Sequence, residues 1–182
     1  MPRVTLSIVV AVLMVLSLGA GASAEDTPDD TAEGGLELTA EQRADLDARA
    51  DEALRSSKPG GERVAPDKIA WKEDGVVLTL AVEGDTRAPS PPPAGRVRIY
   101  DKRGFEGNSL TFYKCGEYKL RHWNWTNRTS SWWNNQYDRE WGSLFAWKGD
   151  IWQIIQRKMA VYKNVWLEGG TENTADMVRL CD

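Results

Sequence analysis

Most side-chain nucleophile and metal chemistry in proteins runs through histidine and cysteine. This chain of 182 residues holds one histidine, His122, and two cysteines, Cys115 and Cys181. The first residues decide what the cysteines do. Arg3 gives a short positive start, residues 4–18 are an almost unbroken apolar run too short for a bilayer, and Ala22-Ser23-Ala24 is a small-x-small cleavage site. Residues 1–24 therefore read as a secretory signal peptide, with no membrane anchor once it is removed. In an oxidising compartment Cys115 and Cys181 default to a disulfide, worth roughly 4 kcal/mol through loop closure. Both thiols are then used and His122 has no partner, so zinc sites and Ser–His or Cys–His catalysis are poorly supported. No motif places paired carboxylates for acid–base work. Asp138, Glu140 and Asp150 fall near expected turns, where solvated surface is the default. No catalytic residue is assigned, and the chain reads as no enzyme.

Tryptophan is the other conspicuous residue type. Eight of the nine lie after residue 95, and only Trp71 before it. Alternate rings fill a β core, where each removes much apolar surface from water. Trp132 and Trp133 are adjacent, however, and point to opposite faces if their segment is a strand. Trp123-Asn124-Trp125 poses the same problem. Trp123, Trp125, Trp132 and Trp133, beside Arg121, His122 and Arg128, are thus expected to form an aromatic surface suited to a glycan, a cell-wall polymer or a protein. The basic excess is small and dispersed, so no nucleic-acid partner is expected.

The elements that must carry these residues divide into two unlike halves. Residues 25–95 hold 17 acidic and 8 basic side chains, net −9; residues 96–182 hold 10 and 14, net +4. Such asymmetry predicts separate units, with intramolecular contact between the acidic segment and the basic half. Within 25–83 the start has little to bury and is expected to be disordered. Thr39 then caps a helix, with Gln42 placed to complete a capping box. Leu46, Ala50, Ala53 and Leu54 form a thin apolar stripe, and Pro59-Gly60-Gly61 ends it. A hairpin follows, with Ile69-Ala70-Trp71 and 76–80 flanking Glu73-Asp74-Gly75. Residues 84–95 contain Pro89-Ser90-Pro91-Pro92-Pro93, an extended linker, and Arg87 in it is a candidate processing site.

Residues 96–182 read as all-β. Val97-Arg98-Ile99-Tyr100 and 109–113 alternate in polarity. Tyr100 and Phe105, with Gly104 and Gly107, allow a hairpin to fold back over the sheet, and Ser130 or Ser131 can bond its unpaired backbone. At this point the segment resembles a βγ-crystallin domain, which implies a double Greek-key sandwich behind a small α+β N-terminal segment. The first key matches at Tyr100, Phe105, Gly107, Asn127, Ser130 and Ser131. The second is traced at Trp147, Trp152, Asn173 and Asp176, with Ile154 in place of the glycine and Asp176-Met177 in place of the serine pair.

More narrowly, the chain resembles secreted actinobacterial proteins grouped with the streptomycete metalloproteinase inhibitor. The Ile-x-Trp hairpin, Phe112-Tyr113-Lys114-Cys115-Gly116, the run 129–136 and Val178-Arg179-Leu180-Cys181 carry that resemblance. It implies inhibition of an extracellular protease by a rigid exposed loop. The type inhibitor braces its reactive loop with a further disulfide, for which this chain has no cysteine. The loop is therefore assigned to the polar segment between the keys: Asn134, Asn135, Gln136, Tyr137, Asp138, Arg139, Glu140 and Trp141. No cofactor is expected, but the crystallin resemblance leaves open a calcium ion at Asn127, Ser130, Asn173 and Asp176, with Arg128 an opposing charge and hairpin fastening the alternative role of Asn127 and Ser130. A secreted binding module for cell-wall or glycan surfaces is the alternative reading, and a calcium-binding or purely structural, stress-stable protein the third.

Overall fold

The structure, a computed structural model, describes residues 37–85, 88–167 and 169–182. The signal peptide at 1–24, the polar start that follows it and Arg87 lie outside the described residues. Helix α1 (Ala40–Ser56) begins at the capping box: the Thr39 N–H donates to Gln42 Oε1 at 3.0 Å, and the Gln42 N–H to Thr39 Oγ1 at 3.1 Å. It buries only Leu46 and Ala50. Strands β1 (Glu62–Ala65), β2 (Lys68–Trp71) and β3 (Val76–Thr79) form an antiparallel meander after it. Gly61 lets the chain pass the helix end, because a β-carbon there would stand 2.8 Å from the Trp71 ring and 2.9 Å from Leu54.

The halves set apart by charge and proline share one sheet. β3 pairs antiparallel with β5 (Ser109–Phe112), from Val76 opposite Phe112 to Thr79 opposite Ser109. One core cluster then takes Leu46, Trp71 and Leu78 from before the proline run and Phe112, Leu120 and Trp123 from after it. The reason is quantity. A helix with two buried side chains and a short meander cannot enclose a core alone, whereas the free edge of β5 offers both backbone partners and an apolar face. Residues Gly35–Asp182 accordingly form one compact unit. The acidic residues of 37–83 thus belong to elements that share this sheet and core, rather than to the separate unit expected from charge.

The two keys are interlocked. The first contributes β4 (Arg96–Tyr100), β5, β6 (Gly116–Lys119) and β7 (Ser131–Asn135). The second contributes β8 (Trp141–Lys148), β9 (Ile151–Met159), β10 (Tyr162–Asn164) and β11 (Met177–Leu180). One sheet has the order β1-β2-β3-β5-β4-β7-β10, the other β6-β11-β8-β9. Each key thus lends its third strand to the other's sheet, and the double Greek-key sandwich expected from the sequence is what the chain forms. Val97, Ile99, Leu110, Phe112 and Trp132 meet Tyr118, Leu144, Val178 and Leu180 between the sheets. Each such side chain contributes about 1.5–3 kcal/mol by leaving water. Cys115 and Cys181 are disulfide-bonded, their Cα atoms 5.3 Å apart, tying the start of β6 to the end of β11. Among the described residues no helix is long and apolar enough to cross a membrane.

Candidate functional site

The two keys fold their first hairpins differently, and that difference makes the site. After β4 the chain turns through a single 3-10 turn, Arg103–Phe105, and folds over the sheet. The Tyr100 and Phe105 rings lie 5.5 Å apart beneath it. Ser131 Oγ donates to the Lys102 carbonyl at 2.7 Å and accepts from the Phe105 N–H at 3.1 Å, and Ser130 Oγ donates to the Asp101 carbonyl at 3.1 Å. Gly107 completes the fold at φ +77°, where a β-carbon would stand 2.1 Å from Asp101 Oδ1. Only glycine fits there.

The second key has Ile154 at the matching position, and its hairpin does not fold over. β8 and β9 run straight to the Gly149-Asp150 turn, with Trp147 opposite Trp152 and Lys148 opposite Ile151. The Asp176 N–H donates to the Phe145 carbonyl, as the Ser130 N–H does to Tyr100, both at 2.8 Å. Asp176 Oδ2 also accepts the Trp147 N–H at 2.7 Å. That fastens the base of the ribbon and leaves its tip free. Trp147 and Trp152 pack edge to face at 4.9 Å between centroids, yet remain 46% and 38% exposed; Ile151 is 60% and Ile154 48% exposed. Trp152 and Ile154 share one face of the ribbon with Trp147, and Ile151 lies on the other.

The aromatic surface expected at Trp123, Trp125, Trp132 and Trp133 is not there. Trp123, Trp125 and Trp132 are buried, and only Trp133 is half-buried. Residues Leu120–Trp123 form a 3-10 turn capped by left-handed Asn124, so strand alternation does not apply and Trp123 and Trp125 both turn inward. Trp132 and Trp133 do point oppositely on β7, but the outer face is covered: Phe105 lies 4.9 Å from the Trp133 ring and Lys163 Nζ 5.3 Å. The exposed tryptophans among the described residues are Trp147, Trp152 and Trp166. A sequence signal for the first two existed. Paired tryptophans flanking Gly-Asp, with no later glycine to fold the hairpin back, specify an open ribbon.

The segment 134–141 is mostly structural. Asn134 and Gln136 are buried; Asn134 Nδ2 donates to the Lys158 carbonyl at 2.9 Å and its Oδ1 accepts the Gln136 N–H at 3.2 Å. Asn135 Nδ2 donates to the Pro92 carbonyl at 2.6 Å, and Trp141 lies under the Arg157 guanidinium. Glu140 closes the turn, accepting from Gln136 Nε2 at 3.2 Å and from the Tyr137 N–H at 3.3 Å. What projects is Tyr137, Asp138 and Arg139, a tip of three residues with Arg139 at φ +71°.

Asn127, Ser130, Asn173 and Asp176 do come together where the keys meet. The Asn127 N–H donates to the Ala175 carbonyl and the Asn173 N–H to the Thr129 carbonyl, a reciprocal pair at 3.0 and 2.8 Å. Ser130 Oγ lies 3.0 Å from Asn173 Oδ1. Calcium asks for six to eight oxygens, several charged and turned toward one point. Here Asp176 is turned to a backbone N–H, and the nearby carboxylates already have cations. Arg128 Nη2 lies 3.1 Å from Asp101 Oδ2 and the guanidinium stacks on Trp125 at 4.7 Å. Arg103 grips Glu172 through two nitrogens, one at 2.9 Å, and holds its carboxyl below the usual range. The donor set does not fit a calcium ion, and no cluster of three His, Cys, Asp or Glu side chains among the described residues offers another site.

Comparison with known proteins follows the same division of the chain. Residues 85–145 match Peptidase inhibitor family I36. The match takes in the first key and β8 as far as Phe145, and stops short of the exposed ribbon tip. Over that third of its length the chain is similar to the inhibitor family. No curated protein matches the chain. Among solved structures, a single-site mutant of a βγ-crystallin domain from Clostridium beijerinckii is similar at 12% identity, covering 47% of this chain and 95% of its own, with TM-score 0.37. The N-terminal domain of Protein S is similar at 16% identity, covering 47% and 93%, with TM-score 0.36.

Proposed function

We propose that this is a non-enzymatic, peptidase-inhibitor-like protein of the extracellular medium that engages a protease through the β8–β9 hairpin. The family match supports the class, and the Cys115–Cys181 disulfide suits an oxidising compartment. One observation carries the choice of element. The ribbon tip holds Trp147, Ile151, Trp152 and Ile154 exposed on paired strands, whereas the 137–139 tip is a closed turn. Protease clefts bind extended backbone with side chains filling pockets, which a ribbon supplies and a tight turn does not.

Titration of thermolysin-like and serine proteases with the purified protein tests this. Stoichiometric inhibition is expected, weakened about 100-fold by changing Trp147 and Trp152 together to Ser, and unaffected by Tyr137→Ala with Arg139→Ala. The opposite pattern would move the site to the inter-key turn. Retention on insoluble cell walls without inhibition, lost in the tryptophan variant, would establish the glycan-binding alternative.

A further inference from the structure

The interlocked sheets are alike except at one edge. Each runs second strand, first strand, fourth strand of one key, then the third strand of the other: β5-β4-β7-β10 and β9-β8-β11-β6. β5 and β9 are therefore equivalent edges. The edge of β5 is covered by β3, four residues in antiparallel register. β9 has β8 on one side and, among the described residues, no strand on the other.

Hairpin geometry shows which groups that edge presents. In a two-residue hairpin the pair next to the turn, Lys148 and Ile151, exchanges backbone hydrogen bonds, so the following pair turns its amides outward. The Trp147 N–H does point outward, to Asp176 Oδ2. Its partner Trp152 must do the same on the opposite side, toward the open edge, and Ile154 repeats it two residues on. The register is regular from Ile151 to Ile154 and shifts only beyond, where Leu144 and Phe145 pair with Gln156 and Ile154. Along Ile151–Ile154 the outward backbone groups of Trp152 and Ile154 are thus flanked by exposed apolar side chains, the kind of edge proteins ordinarily blunt.

The geometry points to strand addition at β9: an extended segment of the partner, apolar at alternate positions, pairs antiparallel with Ile151–Ile154, as β3 pairs with β5. This rests on the reading of the hairpin as the protease-binding element and names how the partner is held. Main-chain bonds to Trp152 and Ile154 give the affinity, and the Trp152 and Ile154 side chains favour apolar neighbours.

The test uses the full exported chain and, as probe, a synthetic peptide of the β3 sequence Gly75–Leu80, capped at both ends. Amide hydrogen exchange at Trp152 and Ile154 is expected to slow at least about 5-fold at millimolar peptide. Ile154→Pro removes an outward N–H, which an edge strand tolerates, and should abolish the slowing. Ile154→Thr keeps the N–H and should retain it. No slowing, or slowing that survives Ile154→Pro, would overturn strand addition. Slowing that grows with protein concentration without peptide would make the occupant a second copy and overturn it as well. Protease inhibition is measured separately: inhibition with no edge protection would leave the hairpin acting through its side chains alone, and protection without inhibition would remove the protease.

Discussion

The first and second Greek keys start from the same plan and end as opposites. In the first, Gly107 lets the hairpin fold down, Ser130 and Ser131 fasten it, and β3 covers the outer edge. In the second, Ile154 replaces the glycine, Asp176 fastens only the base, and among the described residues no strand covers β9. One key has spent its backbone groups and apolar side chains on stability. The other keeps both available. A pseudo-symmetric fold thereby has one covered edge and one edge flanked by exposed apolar side chains.

The sharpest way to break this contrast is to exchange buried for exposed tryptophan. Trp132→Ala empties a fully buried site and should cost about 4 kcal/mol, whereas Trp152→Ala should cost under about 1 kcal/mol. Paired denaturant titrations check this, and equal losses would mean the ribbon belongs to the core. Next come the turn glycines. Gly107→Ala meets both an unfavourable φ and the Asp101 carboxylate, and should destabilise by about 3 kcal/mol. Gly149→Ala has similar φ but nothing within 4 Å of the new carbon, so about 1 kcal/mol is expected. Thermal melts of the two variants read the difference. The smallest effect is that of metal. Since guanidinia already neutralise Asp101 and Glu172, millimolar calcium or EDTA should leave Tm within about 1 °C. A calcium-dependent rise of several degrees would show that the oxygens at Ser130 and Asn173 reorient around an ion.

Much of the fold was legible in the residues. The capping box at Thr39 and Gln42, the hairpin around Glu73-Asp74-Gly75 and the first key all follow from short-range rules, and the structure shows each of them, adding the unexpected strand β1. The site was less legible. The tryptophan surface was placed at Trp123–Trp133 because strand alternation was applied to a segment that is partly a 3-10 turn. The outer face of β7 seemed bare because the cover of Trp133, Phe105 and Lys163, comes from 28 residues before it and 30 after it. The loop 134–141 was polar for a structural reason: Asn134 and Gln136 bond the neighbouring backbone and turn.

By itself, the sequence determined the local devices: which residues cap, turn, fold a hairpin or leave it straight, and which two cysteines can join. Those depend on backbone angles and hydrogen bonds within a few residues. Tertiary structure alone decided which edge is covered, which tryptophans see water and whether carboxylates await a metal or already hold an arginine. Each of those depends on what a distant segment brings alongside, and β3 on β5 is the plainest instance. The same pairing joined the acidic half to the basic one, and among the described residues the equivalent edge of β9 has no such cover.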